Sequence, residues 1–410
     1  MSVLMFLRAN ARWIAGGFLL TFFSAFGQTF YISLSAGFIR EEFALTHGDF
    51  GALYMFATLA SALTITWFGR IVDWYSTRKV ILIIVPALAL ACVAMAVNQS
   101  VIILAMVIYA LRLFGQGMMT QTAFTATARW FKGNRGRAIS LVTLGHNVGE
   151  AILPTVFVFV TVLIGWRGSW LLAAACLLIV ALPIAVSLIR SERQPQSGDP
   201  AEKGGDVPDW TRSEVLRDPL FYLILSGVMA PGFIGTTIFF HQVYLVDLRD
   251  WSLEVFATSF VAMAALTILF ALLAGALIDK FSAIQLLPGF LLPLAVACLI
   301  LSNVEAQWSA FAFMAFLGMS YGVSSTLFGA LWPEVYGLKH LGSIRSIVVA
   351  TMVFSTAMGP GVTGYLIDLG VSYPAQISAM GVYCLGAAVL MVIASRTAAR
   401  RLLATKPAAG

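Results

Sequence analysis

Residues 69–79 read GRIVDWYSTRK and residues 275–285 read GALIDKFSAIQ. Each follows a long apolar run and keeps a Gly, three residues and an Asp: Gly69 with Asp73, Gly275 with Asp279. The two stretches lie 206 positions apart. Two more pairs repeat that spacing, Pro154 with Pro360 at 206 and Gly133 with Gly337 at 204. Three agreeing offsets make the chain a duplication, with one copy of this turn in each half. Internal symmetry of this kind is expected of membrane carriers whose binding site lies between two repeats.

Outward from the turns, the apolar runs set the fold class. The chain has 410 residues, of which 60% are hydrophobic and 11% charged, against roughly 25% charged in a soluble domain. Each crossing of a bilayer core takes around 20 apolar residues. Windows near 13–37, 49–69, 79–97, 101–128, 138–163 and 169–190 supply six crossings, and 219–246, 253–277, 283–302, 308–333, 342–366 and 374–396 supply six more. The expectation is an all-α membrane protein of twelve spans in two pseudo-symmetric six-helix bundles. Its divisions are residues 1–190, a linker at 191–218, and residues 219–410. That linker, SERQPQSGDPAEKGGDVPDWTRSEVLRD, is polar and rich in Pro, Gly and charge, as an inter-domain segment is. Its end, Thr211 to Asp218, is expected to form a short amphipathic helix at the membrane surface.

The net charge of +6 acquires meaning by position. With both termini placed inside, 21 of the Lys and Arg residues fall on the inner side. Three, Arg40, Arg167 and Arg249, fall outside, and Arg112 alone lies within a span. This asymmetry is the positive-inside pattern of a multi-pass protein of the cell inner membrane with cytoplasmic ends. The first apolar run, after Arg8 and Arg12, is too long for a cleaved signal and reads as a retained helix. Cys92, Cys176, Cys298 and Cys384 all sit in apolar runs as small buried residues, and they suggest neither a disulfide framework nor a metal site. No P-loop, metal-ligand cluster or catalytic motif occurs, so neither an ATP-driven pump nor a membrane enzyme is expected, and no cofactor or metal is called for.

These residues carry a resemblance to the major facilitator superfamily over essentially the whole chain. In that family the turn after the second helix reads Gly, three residues, Asp and a basic cluster around a second Gly. Here Trp74 and Ser76 depart from it, while Arg78 and Lys79 keep the basic end. The resemblance implies that Gly69, Asp73, Arg78 and Lys79, with Gly275 and Asp279 in the second copy, latch a cytoplasmic gate. Asp73 also suits helix capping or pairing with Arg135 or Arg137. The family's fourth-helix Arg-x-x-Gly-x-Gly pattern is matched by Arg112, Gly115 and Gly117, and in many members that arginine helps in substrate binding or proton coupling. GHNVGEAILP, Gly145 to Pro154, matches the antiporter pattern only in part. WFKGNRGRA, Trp130 to Ala138, is similar to the monocarboxylate and oxalate/formate carrier branch.

Read physically, Arg112 and Glu150 are the two charges in mid-span. A charge at that depth costs about 2.5–3.5 kcal/mol on insertion scales and therefore faces a cavity or a partner. At 1.5 Å per residue each lies about 16–18 Å from a span end, near the midplane. Two readings stand: a permanent Arg112–Glu150 pair that holds helices together, or a pair that opens for a substrate anion or proton. Gln116 and Thr120 follow Arg112 at four-residue spacing, which in an α-helix puts them on its face. His146 lies one turn before Glu150 and reads either as a proton carrier or as a hydrogen-bonded packing residue. His241 reads as a contributor to the same cavity or as an interfacial anchor near Tyr244. Gln28, Tyr31 and Ser35 make a polar face in span one, and Ser320 and Ser324 make one in span ten, where close helix packing is the other reading. Pro231-Gly232 and Gly359-Pro360-Gly361 are expected to interrupt helical hydrogen bonding where helices bend during gating, and close packing also explains the glycines.

The sequence thus points to a secondary transporter working by alternating access. Its expected substrate is a small organic anion, preferably a carboxylate, because an arginine fork suits two oxygens. The site is assigned to Arg112, Gln28, Tyr31, Gln116, His241 and Ser324, with proton coupling at Glu150 or His146. A proton-driven efflux antiporter for amphipathic compounds is the second reading, since 12% of residues are aromatic. A non-transporting membrane sensor is the third. Expected partners are the solute, the lipid bilayer and protons, with no nucleic acid, and the chain is read as a monomer. Substrate identity, direction and coupling ion lie beyond the sequence.

Overall fold

The computed structural model describes residues 3–69, 71–131, 135–191, 193, 209–337 and 339–405. Among the described residues there are helices and short turns and no strand. Ten helices are long and apolar enough to cross a bilayer. The one spanning Arg137–Leu188 has 52 residues, about 78 Å of helix, more than two crossings need. Gly165 breaks it with φ 74° and ψ 164°, a left-handed φ that suits glycine. One further crossing is a bent pair, Asn10–Gly27 and Thr29–Phe43, at 45°.

Twelve spans result. They are α1 (the bent pair), α2 (His47–Phe68), α3 (Thr77–Val97), α4 (Val101–Trp130), α5 (137–164) and α6 (166–188). The second set is α7 (Pro219–Phe240), α8 (Leu253–Ile278), α9 (Ala283–Asn303), α10 (Trp308–Tyr336), α11 (Ser343–Asp368) and α12 (Tyr373–Leu402). Large apolar side chains such as Leu163, Ile179 and Ile102 stand exposed on these helices, as they do where the surrounding solvent is lipid rather than water.

α7 and α11 run through Pro231 and Pro360 as helix, each lacking the one hydrogen bond that its proline cannot donate. Breaks fall at Gln28 in α1, where the backbone is extended (φ −86°, ψ 155°), and at His241, after which a short helix, Gln242–Leu248, continues α7. Between Arg112 and Met119, α4 is a π-helix. Its hydrogen bonds reach i+5; Arg112 is buried there, and Gln116 and Thr120 are half-buried.

The chain divides into two compact units. The first is Met1–Ala201 with Phe239–Thr258 and Pro360–Tyr365; the second is Glu202–Ile238 with Ser259–Gly359 and Leu366–Gly410. In the first, the Gly27 and Gly115 backbones of α1 and α4 touch, and a Cβ on Gly27 would lie 2.7 Å from the Gly115 Cα. In the second, Gly318 and Gly322 let α10 press against the Met263 and Thr267 carbonyls of α8, beside a hydrogen bond from Thr326 Oγ1 to the Ala271 carbonyl at 3.1 Å. Small residues four apart let helices approach closely when lipid supplies no hydrophobic drive.

Of the linker, most lies outside the described residues. The expected helix at Thr211–Asp218 is a single turn, Arg212–Val215, closed by reciprocal hydrogen bonds between Thr211 and Glu214. It docks on the second unit. The Trp210 N–H donates to the Tyr336 carbonyl at 3.0 Å, and Asp218 accepts from Arg401 at 2.6 and 2.9 Å, from Tyr336 Oη at 3.0 Å and from the Leu220 N–H at 3.1 Å. The four cysteines are free thiols, three of them buried.

Candidate functional site

The break in α1 builds the site. Because Gln28 is extended, the carbonyl of Gly27 is released from its helix, and it accepts from Arg112 Nη1 at 3.3 Å. Thr29 Oγ1, just past the break, accepts from the same nitrogen at 3.3 Å. Thr29 is paired with the Tyr54 hydroxyl of α2 at 2.6 Å, and the Arg112 guanidinium lies over the Tyr54 ring at 5.4 Å. Phe240 covers the other side of that ring system at 4.7 Å. Arg112 is 2% exposed, and its Nε has no partner. Nη2 makes no hydrogen bond either, since Nη1 carries all those of the guanidinium. Nε–H and one Nη2–H point the same way and form the side-on edge of the fork. That edge is unused.

Among the described residues no carboxylate forms an ion pair with Arg112. The expected pairing with Glu150 is absent among the described residues, whose ion pairs are Arg167 with Glu42 and Arg401 with Asp218. The reading of a permanent Arg112–Glu150 tie is therefore set aside: the α1 backbone occupies Nη1 instead. Glu150 is 7% exposed and has no hydrogen-bond partner. It is held by α5 packing on α1, where Gly145 admits the Phe18 carbonyl and Thr21 hydroxyl and Gly149 admits the Phe22 carbonyl. His146 is half-buried and edge-on to Phe30 at 6.3 Å. Among the described residues it makes no hydrogen bond to a protein group.

Other expected site residues are spread out. Gln28 is buried beside the break, and Gln116 is half-buried on the π turn. Tyr31 packs among Phe26, Phe157 and Trp170 at 5.0–5.2 Å, within an aromatic cluster joining α1, α5 and α6. Trp170 Nε1 donates to Ser35 at 2.9 Å. His241 lies at the end of α7 with Nε2 3.2 Å from the Pro360 carbonyl. Ser324 belongs to the second unit, where its buried hydroxyl has no partner, while Ser320 donates to the Phe290 carbonyl at 3.2 Å.

At the turn after α2, Gly69 closes the helix with its N–H on the Ile65 carbonyl at 2.8 Å, and Arg78 and Lys79 are exposed. The Asp73 and Asp279 side chains, like Arg70 and residues 132–134, lie outside the described residues. Arg129 of α4, not expected here, donates to the Val72 carbonyl at 2.8 Å. In the second copy Gly275 lies inside helix, and Glu334 of α10 accepts from the Ala283 N–H at 2.8 Å. Thr29 and Tyr54 were also unforeseen. Their signal was slight: a Gly-Gln-Thr run in an otherwise apolar span.

A profile of the Major Facilitator Superfamily matches residues 17–360 and, in a second match, 242–409. The chain belongs to that superfamily. It is a multi-pass membrane transporter of a small solute. A probable sulfoacetate transporter, SauU, of Cupriavidus necator is 29% identical over 40% of this chain and 38% of its own length. A phosphoglycerate transporter of Salmonella typhimurium is 22% identical over 82% of this chain and 78% of its own. The chain thus spans well under half of the first relative and most of the second. Among solved structures, a bacterial homologue of the human lysosomal transporter Spinster has a TM-score of 0.69 at 18% identity, covering 98% of this chain and 99% of that one. That likeness shows the fold shared by the transporter.

Proposed function

We propose that this transporter carries a small organic anion, preferably a carboxylate, and that Arg112 binds it. The observation that carries the reading is the unused side-on edge of a buried guanidinium without a counter-ion. An uncompensated charge in mid-span is costly, and an oxyanion with two oxygens neutralises it and fills both donors. Thr29 and the Gly27 carbonyl orient the fork through Nη1, and Gln28 and Gln116 supply neutral polar contacts. The names of the two relatives, sulfoacetate and phosphoglycerate, both denote small anions with a carboxylate, which supports the same class.

Coupling is assigned to protons, through Glu150 or His146. Both are buried or half-buried without hydrogen-bond partners, so either can take up a proton without first breaking a bond. The positive-inside count supports an inner-membrane protein with both termini in the cytoplasm, residues 1–190 and 219–410 as the two moving bundles, and residues 69–79 and 275–285 as the inner gates. The contacts of Tyr31 and His241 support packing roles rather than direct solute contact.

The test is a thermal-shift and proteoliposome-uptake screen with small carboxylates, sulfonates, sugars and amphipathic cations. One anion should stabilise the protein and be taken up. Arg112→Ala should abolish both effects, and Arg112→Lys, which keeps charge without the edge, should bind about 10- to 100-fold more weakly. Glu150→Gln should retain exchange of internal for external substrate and lose proton-driven accumulation. Stabilisation by amphipathic cations alone would overturn the anion site.

A further inference from the structure

The end of the first unit farther from the termini holds a group of charged and aromatic residues that the solute site does not use. The α1–α2 turn places Arg40 and His47 together. Thr46 caps α2 by accepting from the Asp49 N–H at 3.0 Å, and Asp49 in return accepts from the Thr46 N–H at 3.1 Å. His47, the first residue of α2, is thereby fixed with its Nε2 3.0 Å from Arg40 Nη1. A guanidinium only donates, so Nε2 is the acceptor and His47 is neutral, with its proton on Nδ1.

The ring sits where four segments meet. Tyr244 of the helix Gln242–Leu248 stacks edge-on at 4.2 Å, and the His241 ring lies at 6.1 Å. His241 donates to the Pro360 carbonyl of α11, and that same carbonyl presses on Gly51 of α2. Gly364, one turn further along α11, presses on the His47 carbonyl. The closed junction of α1, α2, α7 and α11 is thus built around an imidazole that must stay neutral.

We infer that His47 is a proton-accepting residue of the transport cycle: its protonation from the solution at this end breaks the Arg40 bond and releases the junction. The proton from water adds to the Nε2 lone pair, which turns the acceptor into a donor. Two donors and two positive charges then face each other about 3 Å apart, which the site cannot hold closed. Histidine takes up a proton between about pH 5 and 8, and His47 is half-buried, within reach of that solution.

Charged and titratable groups of four elements surround it. From α1 comes Arg40, with Glu41 exposed beside it and Glu42 committed to Arg167. From the α7 continuation come His241, the neutral phenol of Tyr244, and Asp247, whose carboxyl burial raises and Arg40 lowers. On α2 itself, Asp49 is committed to the cap. α11 presents backbone at Pro360 and Gly364, and along it Tyr365 is exposed; Asp368 ends that helix. Asp247 draws Arg40 toward itself and so favours the separated state once His47 is charged. With the termini in the cytoplasm, acid outside opens the transporter outward, the direction required for proton-linked uptake.

The test uses the full chain in nanodiscs, with its native cysteines replaced and spin labels at the exposed positions Phe38 and Leu248. Interlabel distance is recorded from pH 8 to pH 5. The wild type should widen on acidification. His47→Gln, whose amide oxygen accepts from Arg40 at every pH, should stay short, and His47→Arg should be long throughout. Widening that persists in His47→Gln would overturn the inference, as would a wild-type distance that ignores pH. None of these outcomes depends on which solute Arg112 binds.

Discussion

Replacing Gly27 by Ala tests the link between helix packing and the anion site. The new Cβ would collide with the Leu111 carbonyl and lie 2.7 Å from the Gly115 Cα and 2.9 Å from the Gln116 nitrogen. Carbon atoms rest at about 3.5–4.0 Å, so α1 and α4 must part by about 1 Å. Overpacking of this sort costs about 1–3 kcal/mol, which leaves a folded protein. The shift falls on the Gly27 carbonyl, already 3.3 Å from Arg112 Nη1, and it lengthens that bond beyond hydrogen-bonding range. A 1 Å misplacement at a reacting site can cost about 10²-fold, and we expect a similar loss in the initial rate of anion uptake into proteoliposomes. Gly115→Ala should do the same, because the contact is reciprocal, at 2.6 Å from its Cβ to the Gly27 Cα. Gly117→Ala should be mild, since its Cβ meets the mobile end of the Ile65 side chain. Uptake at the wild-type rate by Gly27→Ala, with an unchanged melting temperature, would refute the placement of Arg112 by the α1 break.

Two further outcomes follow from the same contacts. At the clasp between the linker and the second unit, burial pushes the Asp218 carboxyl up, but Arg401, the Leu220 N–H and Tyr336 outweigh it and hold it below its ordinary value. The stabilisation is complete above the unfolded value of about 3.9 and drains as pH falls through the lower native one. Asp218→Asn should therefore lower the melting temperature at neutral pH by the equivalent of about 1–2 kcal/mol, a low figure because Arg401 is partly exposed, and the gap should close below pH 4. Gln242 donates to the Phe30 carbonyl at 2.9 Å and to Ser33 at 2.8 Å. Gln242→Ala should lengthen the Phe38–Leu248 spin-label distance at fixed pH 7.5 by raising the open population, about 5- to 150-fold for about 1–3 kcal/mol of lost bonding; an unaltered distance distribution would show that these bonds do not hold the junction.

The fold was readable because its signals are long. Twelve apolar runs and a duplicated turn survive any error of a few residues, and the break at Gly165 falls between the windows 138–163 and 169–190. The site was readable only in part. Arg112 stands out because a lone charge in a span has few explanations. Its partners do not, because a backbone carbonyl such as Gly27 leaves no mark in sequence and Tyr54 lies on another helix. The pairing with Glu150 failed because sharing a depth does not make two residues neighbours.

The duplication also accounts for where the chemistry is concentrated. Ser33 Oγ donates to the Phe239 carbonyl at 2.6 Å, across 206 positions, the offset that relates Gly69 to Gly275. At this one pair, equivalent positions of the two repeats touch. Carried to mid-span, the same offset pairs Arg112 with Gly318, His146 with Met352 and Glu150 with Thr356. None of the three counterparts is charged. Gly318 instead admits the Met263 carbonyl and packs α10 on α8. The backbone is duplicated while the buried charge is not. On the proposed reading, one buried guanidinium has one anionic group to neutralise, and a single proton on Glu150 or His146 changes the charge in mid-span by as much as the bound anion does.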